Sequence, residues 1–543
     1  MRAVVDIETD AINAKRVYCI VAQNYETGEI RKWVGDECKE FGEWSKKIDQ
    51  FIMHNGISFD APLLNKFTGS SISPIQVRDT LLESQLFNPV REGGHSLESW
   101  GERLGFAKLD FHDFSEFSPL MLEYCQRDVE LTRKLAQNLE LEKEKFSNQC
   151  YDLERDIRIL LDKQQKNGFA FDLMKAQLLL AKLEDEQHEL ERHAEEEFEP
   201  TIIELKTKTK EIPFNIASRK QIADRLMERG WEPTKLTDKG NVIVNEDVLS
   251  KIKMPEAQMF SRYFLLQKRT GLLKAWIKEC GEDMRVRGRV LTLKTITGRM
   301  AHHSPNMAQV PAVYSPYGKE CRELWTVSNA QTHQLVGTDA SGLELRCLAH
   351  YMDNADFTNE VLTGDVHTAN QHAAGLSNRD QAKTFIYAFL YGAGPAKIGK
   401  IVGGGPGKGQ KLISKFLSNM PALRTLRSNV QEAAQEGSIK GLDGRRLMIR
   451  SEHAALNTLL QGAGAIVCKK WLVEIDKRVR KSGLDAKLVA SVHDEYQFEV
   501  AKPDINRFTK ITKEAMYQTQ REFSFKCDLD SDYKIGNNWA ETH

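Results

Sequence analysis

Arg379-Asp380-Gln381-Ala382-Lys383-Thr384-Phe385-Ile386-Tyr387-Ala388-Phe389-Leu390-Tyr391-Gly392 repeats cationic, aromatic and apolar residues at helical spacing. It predicts one helix with Gly392 as its C-terminal stop. Arg379, Lys383 and Tyr387 stand four apart, so they drift slowly around one face. That face offers two fixed cations and then an aromatic plate. A nucleoside triphosphate needs such a surface: cations for its phosphates and a ring against its base and sugar. Alone, the helix reads more simply as a solvated Arg/Lys stripe over a buried aromatic face. Two other segments change that reading.

Residues 335–350 carry an apolar strand into Asp339, then a small-residue turn, then a helix beginning near Leu343. Residues 488–500 read as a strand, a tight polar turn at His493-Asp494-Glu495, and a second strand of alternating polarity. Each has a plain reading, as a cap or a solvated hairpin tip. Together, in this order, the three segments resemble motifs A, B and C of the family A DNA polymerases, the polymerase I type. The likeness is strongest to the replicative enzymes of short-tailed phages.

The resemblance implies template-directed nucleotidyl transfer. A primer 3′-hydroxyl attacks an α-phosphate, assisted by two divalent ions roughly 3.5–4 Å apart. Asp339 and Asp494 are the implied Mg²⁺ ligands, with the carbonyl of Ala340, and Glu495 supports them; Mn²⁺ is the expected substitute. Arg379 and Lys383 are implied to hold the β and γ phosphates, with Lys383 also counted as catalytic. His367, in Gly364-Asp365-Val366-His367, matches another phosphate contact. Glu344 matches a side chain that crowds the sugar 2′ position and pairs with Tyr387. Tyr387 offers a hydroxyl in place of a missing 3′-hydroxyl, which implies ready use of dideoxynucleotides. Tyr391 joins the substrate-binding set. Thr297-Gly298-Arg299 and Asn306 through Pro311 resemble a primer–template grip. Arg450 through Gln461 resembles a helix touching the minor groove. Arg299, His453 and Gln461 are therefore candidates for reading its acceptors.

The N-terminus carries a second chemistry. In the strand Val4-Val5-Asp6-Ile7-Glu8, residues two apart share a face, so Asp6 and Glu8 aim together. Asp60 closes His54-Asn55-Gly56-Ile57-Ser58-Phe59-Asp60, and Tyr124 precedes Asp128 by one helical turn. Singly these are ordinary acids. In this order they resemble the DEDD 3′–5′ exonucleases of the tyrosine subclass. That implies two more Mg²⁺ ions on Asp6, Glu8, Asp60 and Asp128, with Tyr124 orienting the attacking water.

At 543 residues and 41% hydrophobic, the chain suits several globular cores. No stretch approaches the ~20 apolar residues of a membrane helix, and the start is not a secretory signal. Nine scattered cysteines predict free thiols and argue against structural zinc. The net charge of −1 hides a division. Residues 1–150 hold 18 basic and 25 acidic side chains, whereas residues 216–300 hold 18 basic and 10 acidic. The basic window is a candidate for gripping duplex phosphates.

The fold class expected is α/β and α+β multidomain: an RNase H-like exonuclease domain (1–145) before a right-hand polymerase. The polymerase divides into thumb (146–290), first part of the palm (291–350), fingers (351–440) and second part of the palm (441–543). The pattern at 175–198 predicts a thumb-type helix rather than a dimer coiled coil, and Glu199–Phe214 reads as a polar loop. A phage relative carries a long thioredoxin-binding insertion in the thumb; the short connector here argues against such a clamp. Gly403-Gly404-Gly405-Pro406-Gly407-Lys408-Gly409 hints at a phosphate loop but lacks Ser/Thr after Gly-Lys, and reads as a flexible loop. By analogy the partners are primer–template DNA, deoxynucleoside triphosphates, a phage helicase-primase and a single-strand binding protein. The expected protein is a monomer in the cytoplasm of an infected bacterium. Its rivals are a single-subunit RNA polymerase-like enzyme and an inactive DNA-binding scaffold.

Overall fold

The computed structural model describes residues 1–205 and 208–543. It forms two compact units. The first comprises Met1–Asn167, Arg289–His303 and Val336–Tyr533; the second comprises Gly168–Gly288, Ser304–Leu335 and Lys534–His543.

The first unit opens with β1 (Arg2–Thr9), β2 (Val17–Asn24), β3 (Ile30–Val34), β4 (Gln50–Met53) and β5 (Val77–Asp79). They form one mixed sheet in the order β3-β2-β1-β4-β5, antiparallel from β1 to β3 and parallel from β1 to β5. The period of two along β1 sorts its side chains between two cores. Ala3, Val5 and Ile7 join Trp33, Phe41 and Phe51. Val4 joins Met121, Cys125 and Val129 of the helix Pro119–Lys143. Asp6 and Glu8 share the parity of Val4, so they project toward that helix.

The rest of this unit is built on a four-stranded sheet in the order Ala486–Val492, Glu495–Ala501, His333–Ala340, Ser531–Gly536. The helix Ala455–Ser482 is buried along most of its length because it is apolar on nearly every side. The helix Arg379–Leu390, hereafter the lid helix, anchors through Phe385 and Phe389, whose rings lie 5.1 and 5.7 Å from Phe416.

The helix Asn148–Asn167 serves both halves of this unit. Cys150 belongs to the N-terminal core, while Leu153, Ile157 and Leu160 belong to the C-terminal one. It also buries Glu154, which accepts hydrogen bonds from Lys469 Nζ at 2.7 and 2.8 Å and from Arg445 Nη1 at 2.7 Å. Asp443 pairs with the other edge of the Arg445 guanidinium at 2.6 Å. Such a network persists because each buried charge has a partner. This helix belongs to the first unit.

In the second unit, Leu173–Glu197 packs antiparallel on Pro255–Glu279. The pair is linked from Glu184–Lys274 to Tyr263–Glu191. The apolar spacing at 175–198 is thus used within the chain. The expected loop at 199–214 is different: Thr201–Leu205 and Lys208–Ile212 pair as antiparallel strands. Residues 206–207 of that stretch lie outside the described ones. Phe198, Phe214 and Phe260 stack at its base, 4.5–5.8 Å apart.

The glycine-rich stretch in the first unit also departs from expectation. Gly403–Gly405 turns between two helices, and Pro406-Gly407-Lys408-Gly409 is already the first turn of Pro406–Asn419. A Cβ on Gly409 would lie 2.0 Å from the Pro395 carbonyl oxygen, so glycine there permits helix contact, not phosphate binding.

Candidate active sites

The first site lies where β1 meets Pro119–Lys143. Oxygen or sulfur atoms of Asp6, Glu8 and Cys125 fall within 4.8 Å of one another. Asp60 opens the helix Asp60–Thr68, is 3% exposed, and has its carboxyl's charged form favoured by the backbone of Ile7, between Asp6 and Glu8. Asp128 and Tyr124 reach in from successive turns of the covering helix. All four carboxyls are pushed up, first by loss of water. For Asp6 the repulsion of Asp60, Glu8 and Asp128 adds to it. Glu8 rises to about 9 and Asp60 to about 7. The structure therefore brings together all five residues expected of this site.

Two groups here went unread in the sequence. Cys125 donates its thiol to Asp6 Oδ2 at 3.6 Å. Lys108, from the loop before the covering helix, pairs with Asp128 Oδ2 at 2.6 Å. Asp128 Oδ1 is buried and has no hydrogen-bond partner among the described residues. An orphaned carboxylate oxygen beside three further carboxyl groups fits a hard divalent cation such as Mg²⁺ or Mn²⁺.

The second site lies at the end of the strand His333–Ala340. The Ala340 amide donates to the Asp494 carbonyl at 3.1 Å, which sets the strand end beside the turn His493-Asp494. His493 adopts φ +58° to make that turn. The Asp339 carboxyl rises to about 7, chiefly by loss of water, then by repulsion from Asp494, Glu495, Asp532 and Glu344. Asp494 is also raised, by loss of water and then by Glu344. Glu495 is buried at the start of the next strand and accepts from Gln497 at 2.6 Å. Asp532, absent from the sequence reading, is held by Ser341 Oγ at 2.6 Å. This donor set is again carboxylate and carbonyl oxygen, which fits Mg²⁺.

A cavity of about 330 Å³ opens beside Asp494, lined by Arg299, Leu343, Glu344, Tyr391, His493 and others. Arg299 is 3.6 Å from Glu344, so it faces this cavity. Tyr391 Oη donates to Glu344 Oε1 at 2.9 Å. The expected partner of Glu344 was Tyr387; the hydrogen bond is made instead by Tyr391, one helical turn later, which lines the cavity. Tyr387 remains close enough for Glu344 and Asp494 to raise its phenol, after the effect of burial.

On the lid helix, Arg379 forms a two-pronged pair with Asp365, at 2.7 and 3.0 Å. Lys383 is exposed and makes no ion pair among the described residues. His367 lies 6.0 Å from the Tyr387 ring, with Nδ1 buried and unpartnered among the described residues. The chain leaves the lid helix through Gly392 at φ +76°, a backbone only glycine adopts freely, and passes the exposed His453. Gln461 donates to Asn457 at 2.9 Å. No helix among the described residues is long and apolar enough to cross a membrane.

Comparison with known proteins agrees with this architecture. The family model for DNA polymerase family A matches residues 181–541. DNA-directed DNA polymerases of Enterobacteria phage T3 and Escherichia phage T7 are each 32% identical, with 99% of both chains covered. DNA polymerase I of Geobacillus stearothermophilus is 24% identical over 94% of this chain and 59% of its own. Among solved structures, the POL domain of Pol1 from M. smegmatis, in complex with DNA primer-template and dNTP, superposes with a TM-score of 0.82. It is 18% identical and covers 99% of this chain and 96% of its own. Neither rival reading finds support in these likenesses. The chain belongs to DNA polymerase family A and is a DNA-directed DNA polymerase.

Proposed function

We propose that this polymerase replicates a phage genome, extending a primer 3′ end with deoxynucleotides at the Asp339/Asp494 site and removing misinserted ends at the Asp6/Glu8 site. The observation that carries this reading is the presence, in one compact unit, of two separate carboxylate clusters, each with an aromatic hydroxyl beside it. Mg²⁺ bound at either cluster, two ions at each, would supply charge neutralisation and an activated oxygen nucleophile.

At the polymerase site, Asp339, Asp494 and the Ala340 carbonyl are the proposed ligands. Lys383 holds the β and γ phosphates and is catalytic as the charge leaves with pyrophosphate. Arg379 joins it after release from Asp365, and His367 adds a further phosphate contact. Glu344, fixed by Tyr391, fills the space a ribose 2′-hydroxyl would need. Tyr387 lies under the sugar. Arg299, His453 and Gln461 are assigned to the minor groove of the new pair. Closure of the lid helix would exclude water and complete the site.

At the nuclease site Asp6, Glu8, Asp60 and Asp128 would hold the ions, and Tyr124 would orient water toward the terminal phosphate. In domain terms, residues near 1–145 form the exonuclease. The sheet carrying Asp339 and Asp494 is the palm, the lid helix and its neighbours are the fingers, and the second unit supplies the thumb. Primer–template DNA would lie on the basic stretch 216–300. A phage helicase-primase and single-strand binding protein are expected to act with this monomer in the host cytoplasm, and the short hairpin at 201–212 argues against a thioredoxin clamp.

Primer extension in Mg²⁺, with and without deoxynucleotides, tests the reading. Wild type should lengthen the primer with them and shorten it without them. The D6A/E8A variant should only lengthen it. Persistent shortening by that variant overturns the nuclease assignment.

A further inference from the structure

Lys108 belongs to neither catalytic pattern, yet it sits inside the nuclease cluster. Its Nζ is 2.6 Å from Asp128 Oδ2 and 4.6 Å from the centre of the Tyr124 ring. Its charge also holds back the rise that burial gives the Tyr124 phenol. One ammonium thus grips the two residues of the covering helix that face the reaction. Its charge is felt by Asp6, Glu8 and Asp128, where it offsets part of their mutual repulsion.

The loop that delivers it is itself held. Phe111 and Phe114 pack on Tyr124 with centroids 5.4 and 6.1 Å away, and Tyr18 Oη donates to the Ser115 carbonyl at 2.6 Å. An exposed ion pair would contribute little. This one is shielded, with side-chain exposures of 23% for Lys108 and 6% for Asp128. It also divides the carboxylate: Oδ2 is taken by Lys108, and Oδ1 is left buried without a partner among the described residues.

We propose that Lys108 is a positioning residue of the nuclease centre, fixing Asp128 so that Oδ1 faces a divalent ion and fixing Tyr124 so that its hydroxyl meets the attacking water. The proposal rests on the exonuclease reading above. Lys108 exchanges no proton in this role: water attacks phosphorus, the bond from phosphorus to the 3′ oxygen breaks, and the ammonium stays charged throughout.

The test compares full-length wild type, K108A and K108R on a single-stranded oligonucleotide at saturating DNA and Mg²⁺. Mn²⁺ binding is followed in parallel by electron paramagnetic resonance. The D6A/E8A variant marks the share of Mn²⁺ that belongs to this centre. K108A should slow hydrolysis at least tenfold, keep primer extension within twofold of wild type, and still bind Mn²⁺ at this centre. K108R should recover at least a third of the lost rate. Hydrolysis by K108A at the wild-type rate overturns the proposal. So does loss of Mn²⁺ from this centre as complete as in D6A/E8A, which marks a collapsed centre rather than a misaligned one. A wild-type chain that degrades no single strands fails at the earlier step and removes the exonuclease reading itself.

Discussion

The Tyr391 hydroxyl donates to Glu344 Oε1 at 2.9 Å, tying the end of the lid helix to the helix Leu343–Met352 beside Asp339. Glu344 is therefore held in place before any nucleotide arrives. E344A should narrow the preference for deoxynucleotides over ribonucleotides at least tenfold, about 1.4 kcal/mol of discrimination. Y391F should narrow it less, because the carboxylate remains but loses its tether. Ratios of kcat/KM for the two sugar types measure both.

Arg379 and Asp365 form an exposed pair that competes with a triphosphate for the guanidinium. D365N should lower KM for deoxynucleotides about two- to threefold with kcat unchanged. K383A should lower kcat/KM by roughly 10²–10³, the usual effect of removing one preorganised charge at a reacting centre. An unchanged KM in D365N would mean Arg379 is not held in reserve.

Tyr387 sits near Glu344 and Asp494. If its hydroxyl substitutes for an absent 3′-hydroxyl, Y387F should discriminate against dideoxynucleotides at least ~10-fold more than wild type. Competition between each chain terminator and its normal counterpart reads this directly.

Glu8 is lifted to about 9 in the folded chain, against about 4.5 for an ordinary glutamate. The folded state then keeps a proton that the unfolded state has released. Without metal, stability should fall as pH rises from about 4.5 to about 9. Mg²⁺ should flatten that slope. E8Q should raise the apparent Tm of the metal-free protein at pH 8 by roughly 2–4 °C, since glutamine is buried there without having to take up a proton. Scanning calorimetry with and without Mg²⁺ checks both statements.

Glu154 balances Lys469 and Arg445 in the interior. E154Q keeps the shape and removes the charge, leaving buried cations under-compensated. A loss of about 3–5 kcal/mol is expected, read as an earlier urea midpoint. The nucleotide KM of whatever remains folded should be unchanged.

Much of this was legible in the chain. Asp6 and Glu8 announce a shared face because strand side chains alternate, and the lid helix announces itself by its cations and its glycine stop. What escaped has physical reasons. Lys108 and Asp532 are single charged residues in a loop and an edge strand, where nothing local distinguishes them from solvated ones. Tyr391 and Tyr387 differ by one turn, and spacing alone does not decide which reaches Glu344. In the hairpin at 201–212, Ile202 and Ile203 are adjacent, which breaks the apolar/polar alternation by which a half-buried strand is read. The role of Cys125 depends on which side of β1 its helix covers, a fact of packing rather than of order.

The helix Asn148–Asn167 inserts into two cores and carries the anion for two interior cations. Trimming the chain to a polymerase fragment that starts after it would strand Lys469 without its counter-charge and leave Arg445 with Asp443 alone. If the Asp6/Glu8 cluster edits as proposed, synthesis and editing are welded rather than strung together, and editing would be removed by changing those side chains, not with scissors.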